Sequence, residues 1–510
     1  MLTFLTRRLL ASLLVLLIAS YIVYVLTCVS GNPLQSIIES NARNKVQLIE
    51  QRTKLLDLDV PPPLRYFLWF SGLLKGFIGQ FDLGSAINGQ AVTSLLGSAI
   101  GSTLQLVMGA TVLAIVIGVA IGITTALRQY TAYDYTATFI SFLFFSLPLF
   151  WIAVMAKQFL AIGFNNFLQD PVISPIAITV LSVIAGIVWL GIIGGPPLRR
   201  LYIFLIAGGA TAATLTFFSL TKWFINPQLG PVVVVILSLG SALLITLISS
   251  GLENKKSRNT ALTVVGVGLV LYYPLQALFE YASLPLILGL IAVMIVIGAV
   301  IGYLWGGVDR RISMRTGAIA AFVTILIILL DRFMKSWNIY AQSSFANGRP
   351  IATIGASTPD LVGSFWVTGI DNFTHLLLPT AALLLASLAG YSRYSRASLL
   401  DVMNQDYIRT ARAKGLNERT VVVRHAFRNA LIPVTTIIAL DFGALIGGAV
   451  ITESVFGFQG MGALFVSSLR VTDVNPIMGF FLVTGITAVV FNIAADLLYS
   501  ALDPRIRATA

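Results

Sequence analysis

Charge is scarce in this chain. Only 11% of its 510 residues are Asp, Glu, Lys or Arg, against about a quarter in an ordinary soluble domain. At the same time 57% are hydrophobic, which excludes a soluble globular protein and also a disordered one, since disorder needs low hydrophobicity and high charge. A single cysteine, Cys28, excludes a disulfide framework and a cysteine-built zinc site. Two histidines exclude most histidine-rich metal centres. There is no Gly-x-x-x-x-Gly-Lys-Ser/Thr, so the chain does not bind ATP through a P-loop, and no Gly-x-Ser-x-Gly elbow with triad partners. Asp371 and His375 stand four apart and share a helix face, but no third metal ligand is near in sequence. A polar pair capping a helix that begins near Leu376 is the expectation there. No internal repeat of fixed period is present.

Long apolar runs are abundant. A membrane-crossing helix needs about 20 such residues, and twelve stretches meet that length: 9–29, 100–127, 137–162, 172–195, 201–221, 231–250, 260–279, 284–306, 316–334, 376–398, 431–452 and 477–500. The runs are continuous rather than alternating, which predicts helices and not barrel strands. With the N-terminus inside, the inner loops hold 21 Lys and Arg against 7 acids, while the outer segments hold 10 against 11. Almost the whole excess of +12 thus falls on one side, as the positive-inside rule requires. This predicts a multi-pass membrane protein with an even number of spans and both termini cytoplasmic. The basic residues are spread over many short loops, so their partner is the anionic lipid surface and not nucleic acid. Arg7-Arg8 before an apolar run mimics a signal peptide, but Val25-Leu26-Thr27-Cys28 is a poor lipobox, and an uncleaved first span is expected.

Three segments between the spans stand out. Residues 30–98 are balanced in charge, with Pro61-Pro62-Pro63 followed by an apolar stretch, Tyr66 to Leu74, too short to span. They predict a small extracytoplasmic segment with an interfacial helix. Residues 335–375, rich in Ser, Gly, Thr and Asn, predict an outer loop of low regularity. Residues 393–430 carry eight Lys and Arg and three acids. There Leu399, Leu400, Met403, Tyr407 and Ala411 fall at helical spacing, Gly415 interrupts, and Asn417-Glu418-Arg419-Thr420 turns into a second helix. Either an ordinary basic surface loop or a docking surface for a cytoplasmic partner fits that pattern. The pairs Gly118/Gly122, Gly298/Gly302 and Gly443/Gly447 allow helices to approach closely. Ionisable residues at membrane depth are costly. Lys157, Asp331, Arg332, Asp441 and Asp496 are such residues; all lie near span ends, Asp331 and Arg332 are expected at the outer interface, and Asp441 lies deepest in its span.

The run Asp406-Tyr407-Ile408-Arg409-Thr410-Ala411-Arg412-Ala413-Lys414-Gly415-Leu416, then Arg424-His425-Ala426-Phe427-Arg428-Asn429-Ala430-Leu431-Ile432-Pro433, resembles the coupling loop of ABC importer permeases. In particular it is similar to the B-type permease subunit of the dipeptide/oligopeptide/nickel group. Three other stretches agree in order: Met1-Leu2 through Arg7-Arg8-Leu9 to Gly31-Asn32-Pro33, Leu58-Asp59 to Gly84-Ser85, and Glu453-Ser454-Val455-Phe456 through Gly460-Met461-Gly462 to Leu502-Asp503-Pro504-Arg505-Ile506-Arg507. Arg409-Thr410-Ala411 take the place of the general Glu-Ala-Ala motif, with Gly415 as its glycine. Arginine stands where that motif has glutamate, and Pro433 lies further from the glycine.

The resemblance covers roughly 1–165 and 370–507. It implies an all-α polytopic membrane protein with a six-span type I core; the chain departs from that pattern at 166–369, where the apolar runs predict about six additional transmembrane helices. The organisation it implies is a first helix at 1–29, an extracytoplasmic segment at 30–98, core helices 2–3 at 99–165 and inserted helices at 166–334. An outer loop at 335–375 and core helices 4–6 at 376–510 follow, the last part holding the coupling loop 399–430. The implied ATPase-coupling residues are Tyr407, Arg409, Thr410, Ala411, Ala413, Lys414, Gly415 and Leu416. Asp441 and Glu453 are the candidates for the translocation path. The implied role is the permease subunit of an ATP-driven importer of di- or oligopeptides, with no cofactor and no catalysis of its own. The implied partners are a second homologous permease, two ATPase subunits or domains and an extracytoplasmic substrate-binding protein. A stand-alone secondary transporter or channel is the rival reading, and it requires internal symmetry and mid-membrane charges. A membrane enzyme acting on lipids requires more clustered acids or histidines than Asp371 and His375 supply.

Overall fold

A computed structural model describes residues 2–502. Its main helices, in chain order, are α1 (Leu2–Ser30), α2 (Pro62–Leu74), α3 (Val92–Leu127), α4 (Ala132–Ser146), α5 (Pro175–Ile193), α6 (Pro197–Leu220), α7 (Gly230–Ser249) and α8 (Lys255–Val270). They continue with α9 (Leu284–Gly306), α10 (Arg310–Ala341), α11 (Phe365–Met403), α12 (Asp406–Ala413), α13 (Phe427–Gly448), α14 (Val450–Phe456), α15 (Met461–Arg470) and α16 (Val474–Leu502). The only pairing of extended backbone among the described residues is an isolated bridge between Ser85 and Ala91.

Among the described residues, nine helical runs are long and apolar enough to cross a bilayer, and up to twelve if each of three bent pairs is one span. The run Leu284–Ala341 is 58 residues long, twice a bilayer's need, and resolves into α9 and α10. These pack antiparallel, Gly298 on Gly317 and Gly302 on Ser313, so closely that a Cβ at either glycine meets the opposite backbone. Two of the bent pairs, Ala132–Ser146 with Leu149–Phe167 (99°) and Lys255–Val270 with Tyr272–Tyr281 (51°), fall on the stretches 137–162 and 260–279. The first bend was not expected. Its cause is Pro148, which holds Leu147 extended (ψ 129°) and removes a backbone donor. The third pair, Val450–Phe456 with Met461–Arg470 (85°), is two short helices joined at Gly457.

The chain forms two compact units. The first comprises Met1–Leu160, Thr353–Ala356 and Leu376–Ala510. One core of this unit gathers Tyr24 of α1, Tyr66 and Trp69 of α2, Leu83, Val92 and Met461. Tyr66 meets Tyr24 edge-on at 5.6 Å and its hydroxyl lies 2.8 Å from Ser20 Oγ. Such aromatic pairs contribute about 0.5–1.5 kcal/mol beyond burial. The short apolar stretch is therefore a helix clamped to α1 by two rings, with Phe67 and Leu68 left exposed. Gly118 and Gly122 of α3 lie against Tyr391 and Ser395 of α11. Residues 503–510, which end the closing pattern, and the surroundings of Gly443 and Gly447 lie outside the described residues.

The second unit comprises Ala161–Ala352 and Ser357–His375. Its helices α7, α8 and α10 bury a set of hydroxyls, Ser238, Thr246, Ser257, Thr260, Ser313, Thr316 and Thr324, and the carboxylate of Asp331. Asp331 is fully buried and fully engaged. Its Oδ1 accepts from Leu229 N (3.0 Å) and Gly230 N (2.9 Å) at the start of α7, and its Oδ2 from Tyr272 OH (2.6 Å) and Lys335 Nζ (2.8 Å). In a low-dielectric interior each group left unpaired costs several kcal/mol, so this carboxylate fixes three helices together. Asp331 was expected at an outer interface; it is instead an interior anchor. Asp371 and His375 also differ from expectation. Helix α11 begins at Phe365, not near Leu376, so both lie inside it. Asp371 accepts from Thr358 N (2.9 Å), Thr358 Oγ1 (2.5 Å) and Tyr340 OH (3.1 Å), and His375 Nε2 lies 3.2 Å from Thr358 Oγ1. The irregular segment, expected over 335–375, accordingly spans only 342–364.

Candidate coupling site

Helix α12 is short and two-faced. Ile408 and Ala411 point inward and are buried with Leu399, Val421, Ala426, Ala430 and Ala126. Asp406, Arg409, Ala413 and Lys414 point outward. Arg409 is 71% exposed, and its guanidinium lies 3.7 Å from the exposed Asp406 carboxylate, a pair worth at most a few tenths of a kcal/mol. Thr410 Oγ1 returns to Asp406 O (2.9 Å). Tyr407 lies across the helix flank, its hydroxyl accepting from Asn429 Nδ2 at 3.0 Å.

The helix ends in a Schellman arrangement. Gly415 N donates to Arg412 O (2.9 Å) and Leu416 N to Ala411 O (3.4 Å), with Gly415 left-handed at φ +74°. A Cβ at Gly415 would meet nothing within 4 Å, so the glycine serves conformation and not space. Asn417 then caps the next turn through Oδ1 to Thr420 N (2.8 Å). Across the Gly415 turn Arg412 grips Glu418 with two hydrogen bonds, Nη2 to Oε1 at 2.7 Å and Nε to Oε2 at 3.2 Å. That grip holds the Glu418 carboxyl below the usual carboxylate range. The backbone next widens into a π-helical segment, Val421–Ala426, which leads directly into α13. Such segments recur at functional sites. The helix, the turn and the start of α13 are thus tied by Tyr407–Asn429 and Arg412–Glu418. Sequence reasoning missed Glu418 and Asn429 as tethers; an acid six residues after Arg412, across a glycine, was the available signal.

The two path candidates sit differently. Asp441 is half-buried on α13 and hydrogen-bonds the buried Tyr391 of α11. Glu453 of α14 is buried. Its Oε1 accepts from Thr103 Oγ1 of α3 (2.6 Å) and its Oε2 from Ala463 N (2.9 Å), while Met461 N donates to Thr103 Oγ1 (2.8 Å). A carboxylate at the start of α15 meets the free N–H groups and positive dipole end there, so Glu453 and Thr103 together buckle α14–α15 to α3. Gly460 passes so close that a Cβ would meet the Glu453 carboxylate and Thr103. Lys157 donates to Val455 O (3.2 Å), and Arg8 of α1 pairs with Asp496 of α16.

The described residues thus form an all-helical bilayer-crossing fold with a two-faced loop helix closed by a left-handed glycine. Residues 344–508 match the family described as binding-protein-dependent transport system inner membrane component. The oligopeptide transport system permease protein OppB of Mycobacterium tuberculosis (strain H37Rv) is 25% identical over 504 residues, 99% of this chain and 98% of that relative. The oligopeptide transport system permease protein AppB of Bacillus subtilis is 48% identical over 136 residues, 27% of this chain and 43% of the relative. The glutathione transport system permease protein GsiC of Escherichia coli K12 is 42% identical over 139 residues, 27% and 45%. The chain is thus similar to permease subunits of ABC peptide importers, along nearly its whole length at 25% identity and more closely over short stretches, and residues 344–508 carry the inner-membrane-component domain of such importers. The near full-length match with the mycobacterial protein means that the two chains are of nearly equal length.

Proposed function

We propose that this chain forms half of the translocation path of an ATP-driven importer of di- or oligopeptides. It pairs with a second, homologous permease. Two ATPase subunits sit against its cytoplasmic face and a substrate-binding protein against its outer face. Both termini lie in the cytoplasm, in accord with the charge asymmetry of the loops. The observation that carries this reading is the two-faced α12: its inner side is packed into the core and its outer side is free, charged and rigidly held. A helix so mounted transmits a push from a docked partner to α13 and α11. Tyr407, Arg409, Thr410, Lys414 and Leu416 form the docking surface, Ala411 seats the helix, and Ala413 and Gly415 shape its end. Asp441, at the Tyr391 contact, lines the path, and Glu453 borders it as a structural buckle. ATP hydrolysis takes place on the partners. The names of the relatives support a peptide as cargo.

The test is uptake in proteoliposomes. The chain is co-expressed with its neighbouring permease, ATPase and binding-protein genes, and labelled peptide is followed with ATP inside. ATP-dependent accumulation that needs all components supports the proposal. Accumulation driven by an ion gradient with this chain alone overturns it.

A further inference from the structure

A cavity of about 320 Å³ lies between α4 and the C-terminal half of α11, apart from the coupling surface. Its walls are apolar: Phe142 and Phe145 on one side, Ala389 and Leu400 on the other. Both phenylalanines are more than half exposed, so the cavity opens sideways. Most of the polar groups that line it lie near the rings. Ser141 and Ser392 hydroxyls lie 3.5 Å apart. Arg396 gives Nη2 to Asp134 Oδ2 (2.9 Å), but its buried Nε has no hydrogen-bond partner. Arg393 lies over the Phe145 ring at 4.8 Å and makes no ion pair among the described residues. Asp401 also lines the cavity, but eight residues beyond Arg393, about 12 Å further along the helix axis. At the level of the rings there are two guanidinium groups for one engaged carboxylate, Asp134, which itself is capped by Tyr130 N and Thr138 Oγ1.

A buried guanidinium nitrogen without a partner is costly, and an arginine without an ion pair beside the apolar part of a membrane favours whatever anionic group can meet it. An inorganic anion would satisfy the arginines and gain nothing from the apolar walls. A molecule with a phosphodiester at one end and a hydrocarbon chain at the other satisfies both. On the orientation proposed above, the guanidinium level is that of the cytoplasmic headgroups, where basic pockets between membrane helices recruit lipid. We propose that this cavity holds one phospholipid of the cytoplasmic leaflet. Its phosphodiester sits on Arg393 and on Arg396 Nε, and its acyl chain lies along Phe142 and Phe145.

The test is made on the importer complex purified in mild detergent from its own membrane. Lipid retained per complex is counted by mass spectrometry for the native chain, Arg393→Gln, Arg393→Lys and Ala397→Trp, the last of which fills the cavity and leaves both arginines in place. The native complex is expected to retain at least one phospholipid. Arg393→Gln is expected to lower retention roughly tenfold, the worth of one charge-assisted contact. The lysine variant is expected to keep it, because a point charge still meets a phosphate, and Ala397→Trp to lose it. Glycerol phosphate or inorganic phosphate in excess is expected to displace nothing; displacement would make this a free-anion site and overturn the proposal. Equal lipid in all four complexes overturns it. So does efficient cross-linking of a cysteine at Phe142 to the second permease, which would make the cavity a subunit interface. Loss of peptide uptake in Arg393→Gln with lipid unchanged overturns it as well, assigning the cavity to the path. Retention is read on the complex whether or not it transports, so failure here is distinct from failure of the importer reading.

Discussion

Gly415 offers a graded perturbation. Its φ of +74° is left-handed, and the space beside it is empty. A substitution there is therefore penalised by backbone conformation and not by collision. The penalty for an ordinary L-residue is about 1–2 kcal/mol. It is largest for a β-branched residue and smallest for asparagine, which tolerates this region. A penalty of 1.4 kcal/mol depopulates the closed turn about tenfold. Opening the turn releases the Leu416 N to Ala411 O bond and draws Glu418 away from Arg412. The end of α12 would then yield to a docked partner instead of pushing α13. In proteoliposomes carrying the whole importer, ATP hydrolysis and peptide uptake are measured side by side. The expected order of uptake per ATP is Gly415, then Gly415→Asn, Gly415→Ala and last Gly415→Val, with assembly unchanged throughout. Two results would refute the reasoning. One is Gly415→Val coupling as well as the native chain. The other is Gly415→Asn failing as badly as Gly415→Val, which would show that side-chain size at the docking face matters and backbone conformation does not.

Asp473 is buried and accepts from Ile87 N at 2.8 Å, while its Oδ1 has no hydrogen-bond partner. Burial pushes its carboxyl up to about 6, against the pull of that backbone bond and of Arg52. A raised carboxyl favours the protonated folded state, so stability falls as pH rises from about 4 to about 6 and is level above that. Asp473→Asn should flatten this dependence in a thermal-denaturation series and add up to roughly 3 kcal/mol at neutral pH; an unchanged pH profile would contradict it. Thr103→Val removes a donor to Glu453 and an acceptor for Met461 N. It should cost about 1–3 kcal/mol and speed proteolysis at 457–460, and equal protease resistance would count against the buckle. Asp331→Ala strands Lys335 and two backbone donors. A loss of about 3–5 kcal/mol is expected, read as a fall in melting temperature of the detergent-purified chain.

The membrane helices were legible because a bilayer imposes length and apolarity on each one, and both are written locally in the sequence. The break at Pro148 was locally written too, but hydropathy runs straight through it, and only the missing donor and the extended Leu147 mark it. Gly415 and Asn417 were legible for the same local reason, since a left-handed glycine and an asparagine cap need only their own neighbours. What was not legible depends on partners far away in the chain. Glu453 is an acid near a span end until Thr103, 350 residues earlier, turns its carboxylate into a buckle. Asp331 looks interfacial until the start of α7 and Tyr272 enclose it. Asp371 and His375 resemble a cap because the chain before Leu376 is polar. Yet α11 starts eleven residues earlier, and Thr358 and Tyr340 absorb their polarity. The tethers Arg412–Glu418 and Tyr407–Asn429 span six and twenty-two residues, and a turn must be drawn before either can be seen.

The outward face of α12 can be probed residue by residue. With Cys28 replaced by serine, single cysteines are placed at the exposed Asp406 and Arg409 and at the buried Ile408, and the assembled importer is treated with a short bifunctional maleimide. Cross-linking of positions 406 and 409 to an ATPase subunit, with position 408 silent, is the expected result. An assembled, active complex in which neither exposed position reaches an ATPase would contradict the assignment of this helix as the coupling element.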